Sequence, residues 1–553
     1  MDDGIVIETK SSGKRKFRET SIASSSSSSV KIPLSTWKVL AILSSIVTMI
    51  MYAETMMIQA IPDLIRDFHI SYSMSSWLLT ACLITAAVMT PIVGKLSDIY
   101  SKKRILLIMM VIYAVGVSTA GFATNIYLIL IARAIQGFGM AMFPIAFSIV
   151  REKFPREKMS IGNGVISSMT AAGAVIGLII GGSIINYYGW QATFFTIIPI
   201  AIALLITIWR YIPSTDEQDS SRNTQLAMKR GVHKYQIIKE QEGNIQPTNI
   251  TAGFSNDKSK HDQKRNNNAI DIKGAITLAV AVTSFLLVLT FLNMHDNTNS
   301  NSAVSTTVVA GFVAVGISSM ILFILVQRRS KHPLIDFKLF VHPAILPSNL
   351  IILIAGFSLF MIFQTVAIML RSPPPLGFGE SAINIGYIQL PFALVFLIFG
   401  PTSGFIISKL GSLKPIAFGT IISTLGFFSF FVFHLTESSI SVNLAILATG
   451  LSLSIVGVMN VVALSTPKQH SGTSLGTTLL MRVIGSAIGP AVAGMYMQMH
   501  QSLLNIHGVA KYFPSAESYN LIFLTGISLS VLAIVLAIVL RHRAVRMTIP
   551  NLV

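Results

Sequence analysis

The chain is poor in cysteine and in charged residues. It has one cysteine in 553 residues, Cys82, so it can form neither an intrachain disulfide nor a cysteine cluster around a metal. Charged residues make up 12% of the sequence, about half the share found in soluble globular proteins. This composition excludes an ordinary soluble protein of the same length.

The sequence also lacks the short motifs of several enzyme classes. It contains no H-E-x-x-H motif and no P-loop, and its 11 histidines are scattered singly. We therefore predict that the chain is not an enzyme and does not use ATP directly. We expect it to hold neither a metal nor another cofactor.

Acidic residues are scarce relative to basic ones. The 41 Lys and Arg outnumber the 23 Asp and Glu, which gives a net charge of +18. A nucleic-acid-binding protein would collect its bases on one soluble surface, whereas here they fall between hydrophobic runs. The lipid bilayer is therefore the expected partner, and nucleic acid is not.

Long apolar runs are what the chain has in abundance. Hydrophobic residues make up 52% of it, and the mean hydropathy is +0.67. A helix needs about 20 apolar residues to cross a bilayer. Fourteen runs reach this length, at residues 38–62, 74–94, 105–122, 126–149, 162–186, 193–212, 272–292, 303–327, 344–370, 383–408, 414–434, 440–465, 472–499 and 520–540. The pattern predicts an all-α polytopic membrane protein.

Basic residues between the runs predict its orientation. The turn from Gly94 to Arg104, GKLSDIYSKKR, carries four bases and one acid, and basic residues then recur in alternate loops. Since Lys and Arg collect in cytoplasmic loops, both termini are predicted to be cytoplasmic. Three polar segments are predicted to be flexible and cytoplasmic: the tail 1–37, a linker at 213–271 and the tail 541–553.

Two motifs recur at nearly one offset. Four glycines of the fifth run and its start, Gly164, Gly173, Gly177 and Gly182, are matched 312 residues later by Gly476, Gly485, Gly489 and Gly494. The turn that starts at Gly94 is matched 310 residues later by the sequence GFIISKLGSLK. Two homologous halves are predicted, with six helices each at 38–212 and 328–540, and an extra helix pair at 272–327.

Several sequence features occur in a characteristic order along the chain. They are the turn with Gly94, Leu96, Asp98 and Lys103, the run RAIQG with Arg133 and Gly137, and the glycines Gly173, Gly177, Gly181 and Gly182. In this order they resemble the fourteen-helix drug:proton antiporter family of the major facilitator superfamily. Ile99, Ser101 and Leu178 depart from the family pattern, the last where a proline is usual.

The resemblance implies roles for these residues. Gly94, Asp98 and Arg104 would form a cytoplasmic gate, in which Asp98 accepts hydrogen bonds from a helix N-terminus in one conformation only. The other interpretation is that these charges only set the membrane orientation. The glycines of the fifth and thirteenth helices allow close helix contact, which we predict to lie between the two halves.

Ionisable side chains inside apolar helices need a reason to be there. Glu54 lies in the run YAETMMIQAIP, one residue after the position, Ala53, where the resemblance places an acid. We predict that Glu54 carries the proton and that Arg133 tunes it. The alternative is that Glu54 only neutralises Arg133.

The substrate cavity is less clearly marked. The resemblance makes Gln364 and Gln389 cavity candidates. Arg482, in the thirteenth run, either binds an anionic group of the substrate or has a structural role, and no second buried acid is evident as its partner.

These features together predict a multi-pass plasma-membrane transporter that acts as a monomer. The leading hypothesis is proton-coupled export of lipophilic compounds, with Glu54 as counter-charge to a cation. One alternative keeps the fold but exports a metabolite or acts as a uniporter. The other is a membrane receptor or sensor that signals through residues 213–271.

Overall fold

A computed structural model describes residues 33–154, 159–212, 271–291, 302–330, 333, 337–466, 471–506 and 509–546. In the first part of the chain the helices are α1 Leu34–Phe68, α2 Tyr72–Ile99, α3 Lys102–Gly121, α4 Ile126–Met140, α5 Met142–Lys153, α6 Met159–Tyr188 and α7 Trp190–Tyr211. Next come α8 Ile272–Phe291, α9 Ser302–Arg329 and the single turn α10 Phe337–Phe340. The rest are α11 Ile345–Arg371, α12 Ala382–Leu410, α13 Leu413–Val432, α14 Glu437–Ser465, α15 Ser471–Met499 and α16 Ala516–Arg546, with a hairpin of β1 Gln501–Ile506 and β2 Val509–Pro514 before α16.

The predicted spans agree with these helices. Within the described residues, 13 spans are long and apolar enough to cross a membrane, and α4 and α5 together form one of them. The predicted run 272–292 is α8, whose apolar part, Lys273–Val288, is shorter than the others. The polytopic all-helical prediction is therefore confirmed.

Several helices extend beyond their apolar runs because polar caps define their ends. Helix α1 continues past the apolar run to Phe68 and ends where His69 adopts a left-handed backbone with φ 50°. Ser71, Asn125, Ser381 and Thr436 each accept a backbone hydrogen bond at the start of the next helix. Short polar side chains at these positions satisfy free N–H groups of the first turn.

The same helix packing occurs twice. In the first half α1 packs on α6 and α7, and α3 packs on α4 and α7; in the second, α11 packs on α15 and α16, and α13 packs on α14 and α16. The pair α8 and α9 packs together, and α8 also contacts α2 and α15. This repeated arrangement is what the two matched sequence motifs lead us to expect.

The two halves meet along two helix pairs, α2 with α15 and α6 with α12. Ser76 Oγ donates to the carbonyl of Pro490 at 2.8 Å, and Thr80 Oγ1 donates to that of Ala487 at 3.1 Å. Leu178 and Gly386 are in close backbone contact in the second pair. Small side chains therefore bring the halves together.

The glycines do allow close contact, and α6 and α15 do meet the opposite half, but most of these glycines face a helix of their own half. Added Cβ atoms at Gly173, Gly177 and Gly181 would meet α1, the first helix of the same half. Gly485 and Gly489 lie against α11 in the same way. Gly182 and its matched residue Gly494 touch the other half, at Ala382 and at Ser76. Helix α6 packs against α1 with one face and against α12 with another. The presence of glycines in the sequence does not show which of these faces they lie on.

The surface is apolar where the helices face outward. Helix α3 exposes Ile108, Val111 and Val115 along one face, and α16 exposes Val531, Val535 and Ile538. These residues follow a spacing of three or four, so each set forms one stripe. Such a surface is stable only in contact with lipid.

Several predictions concern residues outside the described ranges. These are most of the tail 1–37, nearly all of the linker 213–271 and most of the tail 541–553. The division into halves with these boundaries and the cytoplasmic position of both termini stay predictions.

The glycine contacts generate a stability prediction. Replacing Gly177 with Ala places a methyl group against Thr55 and within 2.7 Å of the Tyr52 carbonyl. Overpacking of this kind costs about 1–3 kcal/mol. Thermal unfolding of the purified protein in detergent should show a lower melting temperature for Gly177→Ala.

The matched control is Gly311 in α9, where an added Cβ meets no atom within 4 Å. Gly311→Ala should leave the melting temperature unchanged or raise it slightly, because alanine favours helix. Equal effects of the two substitutions would contradict the proposed close contact between α1 and α6.

Candidate functional site

A buried ion pair joins the first and fourth predicted spans. Arg133 Nη2 lies 2.7 Å from Glu54 Oε2, and the two residues are 1% and 4% exposed. The guanidinium also donates from Nε to the Leu78 carbonyl at 2.7 Å and from Nη1 to Gln136 at 2.9 Å. Arg133 thus connects α4 with α1 and α2.

The carboxyl group of Glu54 is satisfied on one side only. Its Oε2 accepts from Arg133 and is 3.8 Å from the Cys82 sulfur. Its Oε1 is buried and has no hydrogen-bond partner among the described residues. A buried acceptor without a donor is destabilising, so a proton or a polar ligand at this oxygen would be accommodated.

The one-residue difference from the family pattern does not separate the pair. Ala53, at the usual acid position, is buried. Glu54, about 100° further around the helix, still reaches Arg133. The structure brings together the two residues predicted to act on the proton, while their role in proton transfer stays a prediction.

The predicted gate is described only in part. Gly94 lies near the end of α2 with no atom within 4 Å of an added Cβ, and the side chain of Asp98 is outside the described part of the structure. Arg104 is exposed in the first turn of α3. Lys102 Nζ contacts Glu152 Oε2 at 2.8 Å, which connects α3 to α5. The gate role of Gly94, Asp98 and Arg104 stays a prediction.

At the other end of the bundle an ion pair joins the two halves. Arg371, at the end of α11, contacts Asp63 of α1 at 2.7 Å, and Arg66 contacts the same oxygen at 3.2 Å. Asp63 is 5% exposed. Close by, the Tyr72 amide donates to Gln498 of α15 at 3.2 Å. We call this group the Asp63 cluster.

Sequence reasoning missed the Asp63 cluster, although a signal was present. Asp63 and Arg371 are 308 residues apart, close to the offset that relates the two repeated motifs. They therefore stand at nearly corresponding ends of the first helix of each half. Opposite charges at such positions can meet when the halves come together.

The two glutamine candidates are buried at the helix interfaces. Gln364 is 0% exposed and donates to Ser76 Oγ at 3.0 Å, across the contact between α11 and α2. Gln389 is equally buried, and its amide is 3.5 Å from the Phe363 carbonyl. The carbonyl oxygens of both side chains have no partner in the described residues. Gln364 connects the halves in this conformation, and the cavity role of both stays a prediction.

Arg482 differs from the other charged residues of the helices. It lies in the interior part of α15 and is half-buried. The described residues provide it with no ion pair and no side-chain hydrogen bond. One turn earlier, Thr478 Oγ1 donates to Asn349 Oδ1 at 2.8 Å.

One pentapeptide, from Gly472 to Gly476, has the G-x-S-x-G spacing of hydrolase nucleophiles. That motif needs a sharp turn between a strand and a helix. Here it lies in the first turns of α15, and Ser474 is 4% exposed. The spacing alone therefore provides no exposed nucleophile.

Residues 43–490 match the sequence family described as the Major Facilitator Superfamily. The chain is 24% identical to the multidrug transporter protein MdtP of Bacillus subtilis, over 82% of this chain and 74% of the relative. It is 25% identical to the multidrug efflux pump LfrA of Mycolicibacterium smegmatis, over 84% and 82%. Among solved structures, the nucleoside transporter NupG is similar in fold, with a TM-score of 0.56 and 13% identity over 92% of this chain and 99% of that one.

The buried ion pair leads to a prediction about stability. Arg133→Met leaves the Glu54 carboxylate buried without its partner, and such a loss costs about 3–5 kcal/mol. The melting temperature in detergent should fall clearly. The double variant with Glu54→Gln removes the unpaired charge and should regain part of the loss.

Comparing the two single variants with the double variant tests whether Glu54 and Arg133 interact. Coupling between the two sites appears as a double variant that is more stable than the sum of the single effects implies. Strictly additive effects would contradict the ion pair.

Proposed function

Because the chain belongs to the major facilitator superfamily, we propose that it exports small lipophilic organic compounds in exchange for protons. Members of the superfamily are carriers of small molecules, and the chain is a multi-pass protein of the cell membrane. Two relatives that cover most of its length are named as a multidrug transporter and a multidrug efflux pump. We also propose that the chain has no catalytic activity and acts as a monomer.

The observation that best supports proton exchange is the buried ion pair between Glu54 and Arg133. Glu54 lies in the helical interior and pairs with Arg133 through Oε2. Its other oxygen, Oε1, has no hydrogen-bond partner among the described residues and could bind a proton. A carboxyl group alternates between a charged and a neutral form, so its contact with Arg133 changes strength with each proton bound. That change can bias the packing of α1 against α2 and α4.

We further propose that the described conformation faces the cytoplasm. The contacts between the halves include the Asp63 cluster at one end, whereas at the other end an added Cβ at Gly94 or Gly476 meets no described atom within 4 Å. The basic turn at Gly94 supports a cytoplasmic position for that end, because Lys and Arg collect in cytoplasmic loops. Transport then requires the Asp63 cluster to separate as the halves rock about the central cavity.

Proton coupling can be measured in reconstituted vesicles. A pH gradient imposed on wild-type vesicles should drive uptake of a lipophilic dye, and a protonophore should abolish it. Glu54→Gln cannot exchange a proton, so we expect gradient-driven uptake to fall at least about tenfold. Equilibration of the dye down its own gradient should remain measurable.

The matched control is Glu517→Gln, which changes an acid that is 70% exposed at the start of α16. It should leave uptake unchanged. Undiminished gradient-driven uptake in Glu54→Gln would remove Glu54 from the proton role. Dye movement that ignores the pH gradient in the wild type would favour a uniporter, and no movement of any compound would favour the receptor hypothesis.

The Asp63 cluster leads to a second measurement. In a Cys82→Ser background, Ser76→Cys places a thiol at the contact between α2 and α15, where Ser76 is 1% exposed. Asp63→Asn weakens closure at this end, and a partly exposed ion pair contributes about 1 kcal/mol. Labelling by a membrane-impermeant maleimide added from outside should become a few times faster.

Asp67→Asn serves as the control. Asp67 contacts Arg66 and Trp190, both in the first half, so its loss should not change the labelling rate. Equal labelling rates in the Asp63 and Asp67 variants would contradict a role for the cluster in closure.

A further inference from the structure

The charges of the helical interior do not balance. Glu54 and Arg133 neutralise each other at 2.7 Å. The carboxylate of Asp271, at the start of α8, accepts hydrogen bonds from the Gly274 amide and from Gln327. The carboxylate of Asp63 forms ion pairs with Arg66 and Arg371. This leaves Arg482 as a cation without a carboxylate partner in the described part of the chain. A lone charge at such a position is costly, so its retention calls for a ligand.

The surroundings of Arg482 leave its side chain partly exposed. Leu480 and Ala487 of α15 are 1% and 0% exposed, whereas Met481, Val483 and Ile484 are partly exposed, as Arg482 is. The backbone on its other side is closed by α11, where a Cβ at Gly356 would meet the Arg482 carbonyl and lie 3.0 Å from Ser486 Oγ. Arg482 itself lies deep in the protein and yet is only half-buried. A ligand can therefore reach its side chain.

A second unpaired donor lies close to Arg482. Asn349 is 0% exposed, and its Oδ1 is occupied by Thr478, one helical turn before Arg482. The Nδ2 group of Asn349 is buried and finds no acceptor among the described residues. A guanidinium and an amide N–H₂ group, both without acceptors, are suited to a carboxylate, sulfonate or phosphate oxygen.

The position of Arg482 relative to the proton site is also informative. On α2, Cys82 contacts Glu54, and the adjacent Leu83 packs in one cluster with Leu480 and Ala487 of α15. Glu54 and Arg482 are therefore at about the same depth on the two sides of α2. Because Arg133 holds the charge of Glu54, that carboxylate is not available as counter-charge to a cation.

We propose that Arg482, with Asn349, is an anion-binding site, and that the chain carries amphipathic organic anions. The site takes a carboxylate or sulfonate group attached to an apolar body. This inference rests on the proposed transport function and assigns its substrate class. It replaces the expectation that the substrate is a cation.

Binding to the purified wild-type protein in detergent provides the test. Two probes share the xanthene ring: fluorescein, an anion, and a rhodamine methyl ester, a cation. Fluorescence polarisation at one fixed pH should show tighter binding of fluorescein. Arg482→Gln should weaken that binding at least about tenfold, because a hydrogen bond between charged groups is lost, and it should leave the rhodamine ester unaffected.

Two further variants control for charge and geometry. Arg482→Lys keeps the charge without the planar donor fork, so it should retain part of the affinity. Arg210→Gln removes one positive charge from an exposed position in α7 and should not change fluorescein binding. Asn349→Ala should weaken fluorescein binding by a smaller factor than Arg482→Gln.

Stability separates a binding role from a structural one. If Arg482 serves a ligand, Arg482→Gln removes an uncompensated buried charge and should not lower the melting temperature. A lower melting temperature with unchanged fluorescein binding would show a structural role and overturn the proposal. Tighter binding of the rhodamine ester by the wild type would also overturn it.

The outcomes for transport are distinct. If a pH gradient drives the rhodamine ester but not fluorescein, the anion site is wrong and the transport function holds. If neither dye moves while fluorescein binds at Arg482, the transport function fails and the site remains.

Discussion

The interior of a bilayer offers no water, so a charge in the helices must be compensated by the protein or by a bound ligand. Arg133 meets this constraint with one acceptor on each of three helices: Glu54 on α1, the Leu78 carbonyl on α2 and Gln136 on α4 itself. Displacing any of these helices alone would leave a buried charge or donor unsatisfied. Helices α1, α2 and α4 are therefore constrained to move together.

The contacts between the halves are of a different kind. Ser76 and Thr80 donate to backbone carbonyls of α15, and Asp63 meets Arg371 at the end of the bundle. Such bonds contribute about 1 kcal/mol each, and water can replace them when they open. Close glycine contacts occur both within and between the halves, but the buried Glu54–Arg133 pair lies within the first half. Separation between the halves is thus the motion that costs least.

The sequence predicted much of this, and its failures have physical reasons. Hydropathy predicted the spans, and the repeated glycines predicted close contacts, because both depend on local composition. The partners of Gly173 and Gly177 could not be predicted, since a small residue says how closely helices approach but not which helix is the neighbour. Glu54 and Arg133 could be selected from the sequence because a buried charge requires a reason, and the structure shows that they form an ion pair, while their role in proton transfer stays a prediction. The sequence could not show whether Arg482 has a carboxylate partner in the fold. The structure shows that the described acids near the interior have other partners.

An anionic substrate changes how exchange must be coupled. A cation could compete with a proton for one carboxylate, whereas a proton on Glu54 releases Arg133 from its counter-charge and so strengthens the attraction for an anion at Arg482. The proton and the anion would therefore not exclude each other by competing for one site. Exchange requires that they bind in different conformations of the protein, and opening of the Asp63 cluster would permit such a change. The membrane potential then favours both steps, because an anion leaving and a proton entering move charge in the same direction, at about 2.3 kcal/mol per charge for each 100 mV.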